Sequence, residues 1–590
     1  MSLLAAQLTL PTNVSSTFST YEPLFSASYD VLNSRVGVVA LCLLAVFLSA
    51  WLLVPKSHYA SFDNLPGPKP AHILWGNSLE VIKGVIGGKP TEWFEKYGKN
   101  VRYTAFGTTQ ALLTSDLTTI NYILKNGYDF AKPPIPARVF KNMLGAGLIT
   151  AEGMVHRRQR KVLNPAFGTA QVRNLMPEFW NKAYLLSDLW GGLIASGGDP
   201  VAAGLAATDG AGATPPNAVD KLAQGTDGLK IETLGWLNRF ALDVLGLAGM
   251  NVEINSLRDV HNELSTAYKS ISGQDSQITP WIMMEMIFPI LRWIPSKRQK
   301  IMRASMDAAK ANSARLLREK KAAIAKEAES GLVDPERERD VLSLLVRANM
   351  SPDVPADQRL SDAEVLAQVG TFLAAGHETT STTLAFLLER LAQNPDVQEK
   401  LHAELAAVPD DRPTYDQISA LPYLENCIRE VLRLDPPAIV ISRVSVDDTT
   451  LPVGTPMPGR DGSLVDSIQL RKGSQIFMAI SHVNTSAELW GEDAHEFRPE
   501  RHDAGPTDKV PGVYGNILSF YGGVRNCIGY RFAVMEMKTA MFVLLRHYRF
   551  ETLPSQPKIS RRWLFVQRPA VEGEENLGPQ MPLMVRQRHD

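Results

Sequence analysis

The sequence predicts a mainly helical protein with small β-sheets behind an apolar N-terminal segment. Three observations lead there. Ser361 to Leu391 carries a helical pattern of unusual length, with an acidic first turn and no proline. Val101 to Thr114 mixes β-formers around a Gly107-Thr108-Thr109 turn, which reads as a hairpin of a small sheet. Val36 to Val54 is nearly unbroken apolar sequence, with Ser49 its most polar member.

Composition sets the outer limits. The 590 residues are 45% hydrophobic and 21% charged, ample for a large core, and length alone suggests several domains. A formal net charge of -1 gives no electrostatic case for a nucleic-acid partner. The 3 cysteines are Cys42, Cys427 and Cys527, and no two have the spacing of a zinc site. Such sparse cysteine argues against a disulfide framework and fits a body facing a reducing compartment.

At about 19 residues, the apolar run is long enough to span a bilayer as a helix. It is longer, and lies further from the start, than the core of a cleaved leader. It is therefore read as a retained anchor, 36–54, following a tail of residues 1–35. Arg35 before it and Lys56 after it leave orientation by charge nearly undecided. Sparse cysteine favours a cytosolic body and a lumenal tail, in which Asn13-Val14-Ser15 forms a glycosylation sequon. Residues 55–70 contain Leu65-Pro66-Gly67-Pro68-Lys69-Pro70. Prolines fix φ and resist helix, so this reads as a stiff extended spacer between anchor and body (71–590).

After the hairpin, Ile120, Ile123 and Leu124 mark a helix, and Pro133, Pro134 and Pro136 then break the chain into a loop running through Gly145 and Gly147. Gly153 to Lys161 is a basic run leading into Leu163-Asn164-Pro165-Ala166-Phe167. Its Arg157, Arg158 and Lys161 form either a solvated helix face or a positive surface that docks an acidic electron donor. Residues 197–228 are rich in Gly, Ala, Thr and Asp without hydrophobic periodicity, a flexible surface insertion. Helical pattern resumes from Leu229. Thr279 to Pro295 is apolar, punctuated by prolines, and suits a membrane interface, the lid of an apolar pocket or plain core. Lys297 to Lys326 is a charged, solvent-facing helix.

The long helix has Ala375-Gly376-His377-Glu378-Thr379-Thr380 at its centre. Small residues there let a flat cofactor lie against it. Glu378 and Thr379 set a carboxylate beside a hydroxyl, a pair able to deliver protons to dioxygen under reduction. The bland alternative is a threonine bonded back to its own helix. His377 reads as packing or solvent-facing. Further on, Glu430 and Arg433 share a helix face at i, i+3, Pro436-Pro437 ends that helix, and Ala438 to Ser442 reads as a strand. Arg531 to Leu545 is an apolar helix, followed by short β patterns.

The stretch that organises the chemistry is Phe520-Tyr521-Gly522-Gly523-Val524-Arg525-Asn526-Cys527-Ile528-Gly529. Glycines let this backbone turn tightly and approach something flat. A thiolate that ligates a metal needs such a loop, with amides aimed at its sulfur. Arg525 is a permanent cation suited to a ligand carboxylate. Together these describe a haem pocket with a cysteinate axial ligand, Cys527; the alternative is a buried core cysteine.

The stretch resembles the cytochrome P450 signature Phe-x-x-Gly-x-Arg-x-Cys-x-Gly at every specified position, Phe520 and Gly529 included. Ala375 to Thr380 is similar to the family's Ala-Gly-x-Glu-Thr-Thr, Glu430 to Arg433 to its Glu-x-x-Arg, and Pro499-Glu500-Arg501 to its Pro-Glu-Arg, with His502 where an aromatic is usual. Arg160 matches the family's Trp-x-x-x-Arg, with His156 in place of the tryptophan.

The resemblance implies the cytochrome P450 fold in a single catalytic domain, haem b, and electrons from NADPH through a membrane reductase or a cytochrome b-type donor. It implies a monooxygenase acting on a small lipophilic substrate, held at the endoplasmic reticulum membrane by one span. Arg160, Arg443, Arg525 and His156 would hold the haem propionates, and Glu430, Arg433 and Arg501 would form a buried structural network. The basic helix looks most like fungal members, for which terpenoid or other secondary-metabolite oxidation is one expectation and fatty-acid or xenobiotic hydroxylation another. A haem-thiolate isomerase or dehydratase and a haem sensor or carrier are the other classes. Thr379 argues against the first; the proton-relay pair and the anchor argue against the second.

Overall fold

The computed structural model describes residues 62–73, 75–83, 88–105, 109–198, 228–259, 297–330, 340–350, 355, 358–504, 509–563 and 566–589. The anchor 36–54, nearly all of the insertion 197–228, the apolar run 279–295 and most of the Gly107–Thr109 turn lie outside these residues. Among the described residues, no helix is long and apolar enough to cross a membrane.

The helices that matter here are α1 (Lys89–Tyr97), α2 (Leu117–Lys125), α3 (Pro134–Leu144) and α4 (Gly153–Leu163). They are followed by α5 (Thr169–Ala195), α6 (Thr233–Val244), α7 (Lys297–Ser330) and α8 (Val341–Met350). The last four are α9 (Asp362–Gln393), α10 (Pro395–Ala406), α11 (Pro422–Leu434) and α12 (Tyr530–His547).

A capping box starts α9: the Glu364 amide donates to Ser361 Oγ at 3.3 Å and the Ser361 amide to Glu364 Oε2 at 2.9 Å. A cap of this kind contributes roughly 1 kcal/mol. Residues 380–389 of α9 are all buried. A helix without a solvent face must be wrapped by others, and α6, α7, α11 and α12 all pack on it. Aromatic edges lock α5 onto α12, with Phe179–Phe532 and Trp180–Phe542 ring centroids 4.9 and 5.4 Å apart.

The strands form small sheets. One is ordered β1 (Asn100–Thr104), β2 (Gln110–Thr114), β8 (Gln475–Met478), β5 (Ile441–Ser445), β3 (Phe130–Ala131). The expected hairpin is its first pair, antiparallel with Val101 opposite Leu113. The others are β6 (Thr449–Pro458) with β7 (Leu464–Leu470), β10 (Ile559–Trp563) with β11 (Gln567–Val571), and β4 (Gly228–Glu232) beside β12 (Pro582–Gln587) and β9 (Tyr548–Glu551). The tip of the β6–β7 hairpin grips the start of the body. Asn64 Nδ2 donates to Ser463 Oγ at 3.0 Å, and the amides of Arg460 and Asp461 donate to Asn64 O and Oδ1 at 2.8 and 3.1 Å.

Three expectations are corrected. The proline-broken loop from Pro133 is largely helix α3, because Pro134 and Pro136 occupy the first turn, where no amide partner is needed, and Gly145 ends it at φ 81°. Helix does not resume at Leu229. Residues Gly228–Glu232 are strand β4, paired with β12, and Glu232 then caps α6 by accepting from the Leu234 and Gly235 amides. The strand expected over Ala438 to Ser442 begins only at Ile441, where pairing with β8 starts. The described part of the proline-rich spacer, residues 62–70, docks on the body, since Phe62 and Leu65 are buried and the Arg102 amide donates to Pro66 O at 3.0 Å.

Among the described residues the apolar core falls into three clusters, two of which meet at the cysteine loop. The larger lies among the helices around α9. The second lies under the five-stranded sheet and includes Leu112, Ile120, Phe130 and Ile476. The cysteine loop spans their seam: Ile517 and Phe532 belong to the helical core, Leu518 and Tyr521 to the other.

Candidate active site

The loop that carries Cys527 is held by its own backbone. The Cys527 amide donates to Phe520 O at 2.9 Å, Tyr521 N to Leu518 O at 2.8 Å, and Val513 N to Tyr521 O at 3.0 Å. Gly523 sits at φ +64°, where a Cβ would stand 2.0 Å from Leu124 O, so only glycine fits there. Phe520 braces the loop between Tyr514 and Tyr530, at centroid distances of 5.7 and 6.1 Å. Cys527 is solvent-accessible in spite of the protein around it, and the Gly529 amide donates to its sulfur. Burial raises the thiol above its ordinary value, while the Gly529 amide and the nearby Arg160 cation oppose that rise. Both are the kind of group that stabilises a ligating thiolate.

Beside the loop lies a cluster of cations. Arg525 Nε donates to Gly127 O at 2.6 Å, its Nη2 pairs with Glu152, and its Nη1 is buried with no hydrogen bond. The guanidinium lies 5.2 Å from the Tyr128 ring centroid. Arg443, on β5, is buried, donates to Ser442 O at 2.8 Å and lies 5.2 Å from the Tyr521 ring centroid. His156 is buried on α4 with Nδ1 3.3 Å from Tyr128 Oη. Burial, with Arg525, Lys132 and Arg160 close by, pushes this imidazole down to about 3, so it is neutral at physiological pH. Arg160 is directed elsewhere. Its Nη1 donates to Asn526 O at 2.6 Å, its Nη2 to Asn526 Oδ1 and its Nε to Asn164 Oδ1 at 2.8 Å. The structure thus gathers Arg443, Arg525 and His156 into one cluster and sets Arg160 on the residue preceding the cysteine.

Sequence reasoning missed two members of this cluster, Lys132 and Glu152. Lys132 follows β3, and the β3–β5 pairing, Ala131 opposite Val444, sets it beside Arg443. Glu152 stands at the N-cap of α4.

On α9, the small residues of the second motif stand in mid-helix. Ala375 is exposed, and Thr379, one turn later, lies on the same face. Thr379 Oγ1 donates to Ala375 O at 2.7 Å, the back-bonded geometry. Glu378 does not stand free beside it, because its carboxylate pairs with Arg568 of β11, a residue no motif signalled. Gly376 serves helix packing, as a Cβ there would meet the Leu245 methyls at 2.8 and 3.0 Å. His377 is buried with Nδ1 2.5 Å from Leu373 O, a packing role. One ring, Phe167, bridges the two sides: a Cβ on Gly529 would touch it at 3.8 Å, and its centroid lies 5.2 Å from that of Phe372 on α9.

The buried ion network forms as expected and is larger. Arg433 Nε and Nη2 donate to the two Glu430 oxygens at 2.9 and 2.8 Å, and Arg501 Nε lies 3.3 Å from Glu430 Oε1. His502 joins them, with Nε2 3.0 Å from Glu430 Oε2.

The donor set fits a haem. It offers a soft sulfur ligand with an amide aimed at it, cations with an unfilled buried donor on Arg525, and an open small-residue face on α9. Comparison with known proteins points the same way. The family model described as cytochrome P450 matches residues 66–191 and 217–571. Cytochrome P450 monooxygenase 128 of Postia placenta is 38% identical over 560 residues, covering 93% of this chain and 97% of its own. Cytochrome P450 monooxygenase 205 of the same fungus is 35% identical, covering 94% and 98%. A protein of Ganoderma lucidum named ganoderic acid synthetase is 33% identical, covering 85% and 90%.

Proposed function

The chain belongs to the cytochrome P450 family and is a monooxygenase of it, and from that premise we propose that it inserts one oxygen atom of dioxygen into a lipophilic substrate, by hydroxylation or epoxidation. NADPH supplies the electrons through a membrane reductase, and residues 36–54 hold the body at the endoplasmic reticulum membrane. The observation that carries this reading is Cys527, accessible at the end of a glycine loop with the Gly529 amide on its sulfur.

When bound, haem supplies the redox-active iron and the site of dioxygen activation. This chain's residues do the rest. Cys527 ligates, and its Gly529 amide and Arg160 hold negative charge on sulfur. Arg443 and Arg525 hold carboxylates, with Lys132 beside them. Neutral His156 is able to donate one N–H. On α9, Thr379 and Glu378 carry protons to the site; the Thr379 hydroxyl does so by turning from Ala375 O, and Arg568 holds the Glu378 carboxylate in place. Support for a secondary-metabolite substrate comes from the relative named ganoderic acid synthetase. Binding spectra and product analysis with terpenoids, fatty acids and xenobiotics test that finer reading, and a panel with no response in any class refutes it.

The experiment for the whole reading is the absorption spectrum of the dithionite-reduced, carbon-monoxide-bound protein, wild type beside Cys527→Ala. The expected result is a strongly red-shifted Soret band, lost in the variant. A histidine-type band, or no haem, overturns it. Reductant-dependent oxygen uptake then separates a monooxygenase from an isomerase or a carrier.

A further inference from the structure

The cation cluster contains one carboxylate that no motif accounts for. Glu152 Oε1 accepts from Lys132 Nζ at 3.1 Å and from the Lys132 amide at 3.0 Å, and its other oxygen pairs with Arg525. Lys132 Nζ also donates to Ala151 O at 2.8 Å, so both ends of the bridge are fixed to the start of α4. Burial disfavours the charged form of Glu152, yet Lys132 and Arg525 outweigh that cost and hold its carboxyl below the ordinary value. Lys132 feels Glu152, Arg525 and Arg443, and burial pushes it down to about 8. His156, among the same cations, carries no charge. Lys132 and Arg525 therefore share Glu152 as their ionised partner, with Arg443 also acting on Lys132.

We propose that Glu152 is an internal counter-charge of the haem-carboxylate pocket, occupying Arg525 and Lys132 in competition with the haem carboxylates and lowering both haem affinity and haem reduction potential. The inference rests on the haem-thiolate reading. Its physical basis is the sign of the field. One-electron reduction, with the electron taken from dithionite or the reductase, adds a negative charge to the iron centre. A fixed carboxylate nearby opposes that addition, and a fixed ammonium favours it. Glu152 also saturates two donors that carboxylates of the ligand would otherwise take singly.

The test is spectroelectrochemical titration of the haem-loaded full chain, wild type beside Glu152→Gln, Lys132→Met and the double variant, with haem transfer to apomyoglobin as a second readout. Glu152→Gln keeps the shape and the Lys132 contact while removing the charge. It is expected to favour the ferrous form about tenfold, or about 59 mV for one electron, and to slow haem loss severalfold. Lys132→Met is expected to move the potential the opposite way, and the double variant to return close to wild type. An unchanged potential in Glu152→Gln overturns the proposal. So does a shift of both single variants in the same direction, which would report a loosened pocket instead of a charge. Lack of the red-shifted carbon-monoxide band in the wild type overturns the haem-thiolate reading and this inference together. A normal band with an unresponsive potential overturns this inference alone.

Discussion

Replacing Glu430 by glutamine removes one charge from the centre of the α11 network and leaves its shape. Glu430 and Arg433 are both 0% exposed. Besides Arg433, the carboxylate accepts from Arg501 Nε at 3.3 Å and the Arg498 amide at 3.1 Å, and His502 Nε2 lies 3.0 Å away. Arg501 keeps Asp493 at 2.7 Å after the change. Arg433 keeps only carbonyls, Asn484 O at 2.8 Å and Ala494 O at 2.6 Å being the shortest. A buried cation without its counter-ion costs about 3–5 kcal/mol, and those carbonyls place the loss near the lower end, about 3 kcal/mol. Adding Arg433→Met to Glu430→Gln should then cost little more, because the stranded cation has gone. The pH dependence carries a second signature. Burial alone would raise the Glu430 carboxyl, but Arg433 and His502 hold it down at about 2, from an ordinary 4.5. Its stabilisation is present in full above 4.5 and is lost as pH falls towards 2, so the variant lacks that part of the acid sensitivity. The assay is urea unfolding at pH 7 and at stepwise lower pH, followed by circular dichroism and tryptophan fluorescence, with coincident transitions required before midpoints are compared. A loss under about 1 kcal/mol, or single-variant losses that simply add, would refute the reasoning.

Buried charge and tight backbone elsewhere give further expected outcomes. Glu536 is fully buried on α12, facing the Thr380 hydroxyl, and burial holds its carboxyl well above 4.5. Raised in the fold, it costs stability as pH rises past 4.5, so Glu536→Gln is expected to melt higher than wild type at pH 8 and to show a flatter profile between pH 5 and 8; a lower melting point at pH 8 refutes this. Gly523→Ala, with its Cβ 2.0 Å from Leu124 O, is expected to lose most bound haem, read as the Soret-to-protein absorbance ratio. Gly573→Ala, at φ +86° with nothing within 4 Å, is its control and should keep haem at a cost of about 1–2 kcal/mol. Arg568→Met strands Glu378 and is expected to raise peroxide released per NADPH consumed severalfold; unchanged coupling would separate Arg568 from proton supply.

What the sequence disclosed was local. The cysteine loop, the capped α9 and the Glu430–Arg433 pair could be read because their residues sit within one turn or one helix face. The loop expected from Pro133 failed because proline breaks a helix interior but suits its first turn, and Val139, Phe140, Met143 and Leu144 stand at helical spacing behind the prolines. Lys132, Glu152 and Arg568 left no local signal. Glu152 meets Lys132 across 20 residues and Arg525 across 373, through strand pairing and loop docking that no spacing encodes. Glu152 could have been flagged as an acid at the head of a basic helix, a favourable place for it beside the helix dipole.

The grip of the β6–β7 tip on Asn64 decides where the chain can be trimmed. Asn64 supplies its side chain and carbonyl to residues near 460, while Phe62 and Leu65 on either side are 0% and 2% exposed. A shortened protein beginning at Pro66 would therefore strip a plug from the sheet's own core and leave Arg460, Asp461 and Ser463 without their shared partner. One beginning a few residues before Phe62 keeps both. For a shortened chain without residues 36–54, the natural starting point lies ahead of Phe62, within the stretch that the sequence reads as spacer.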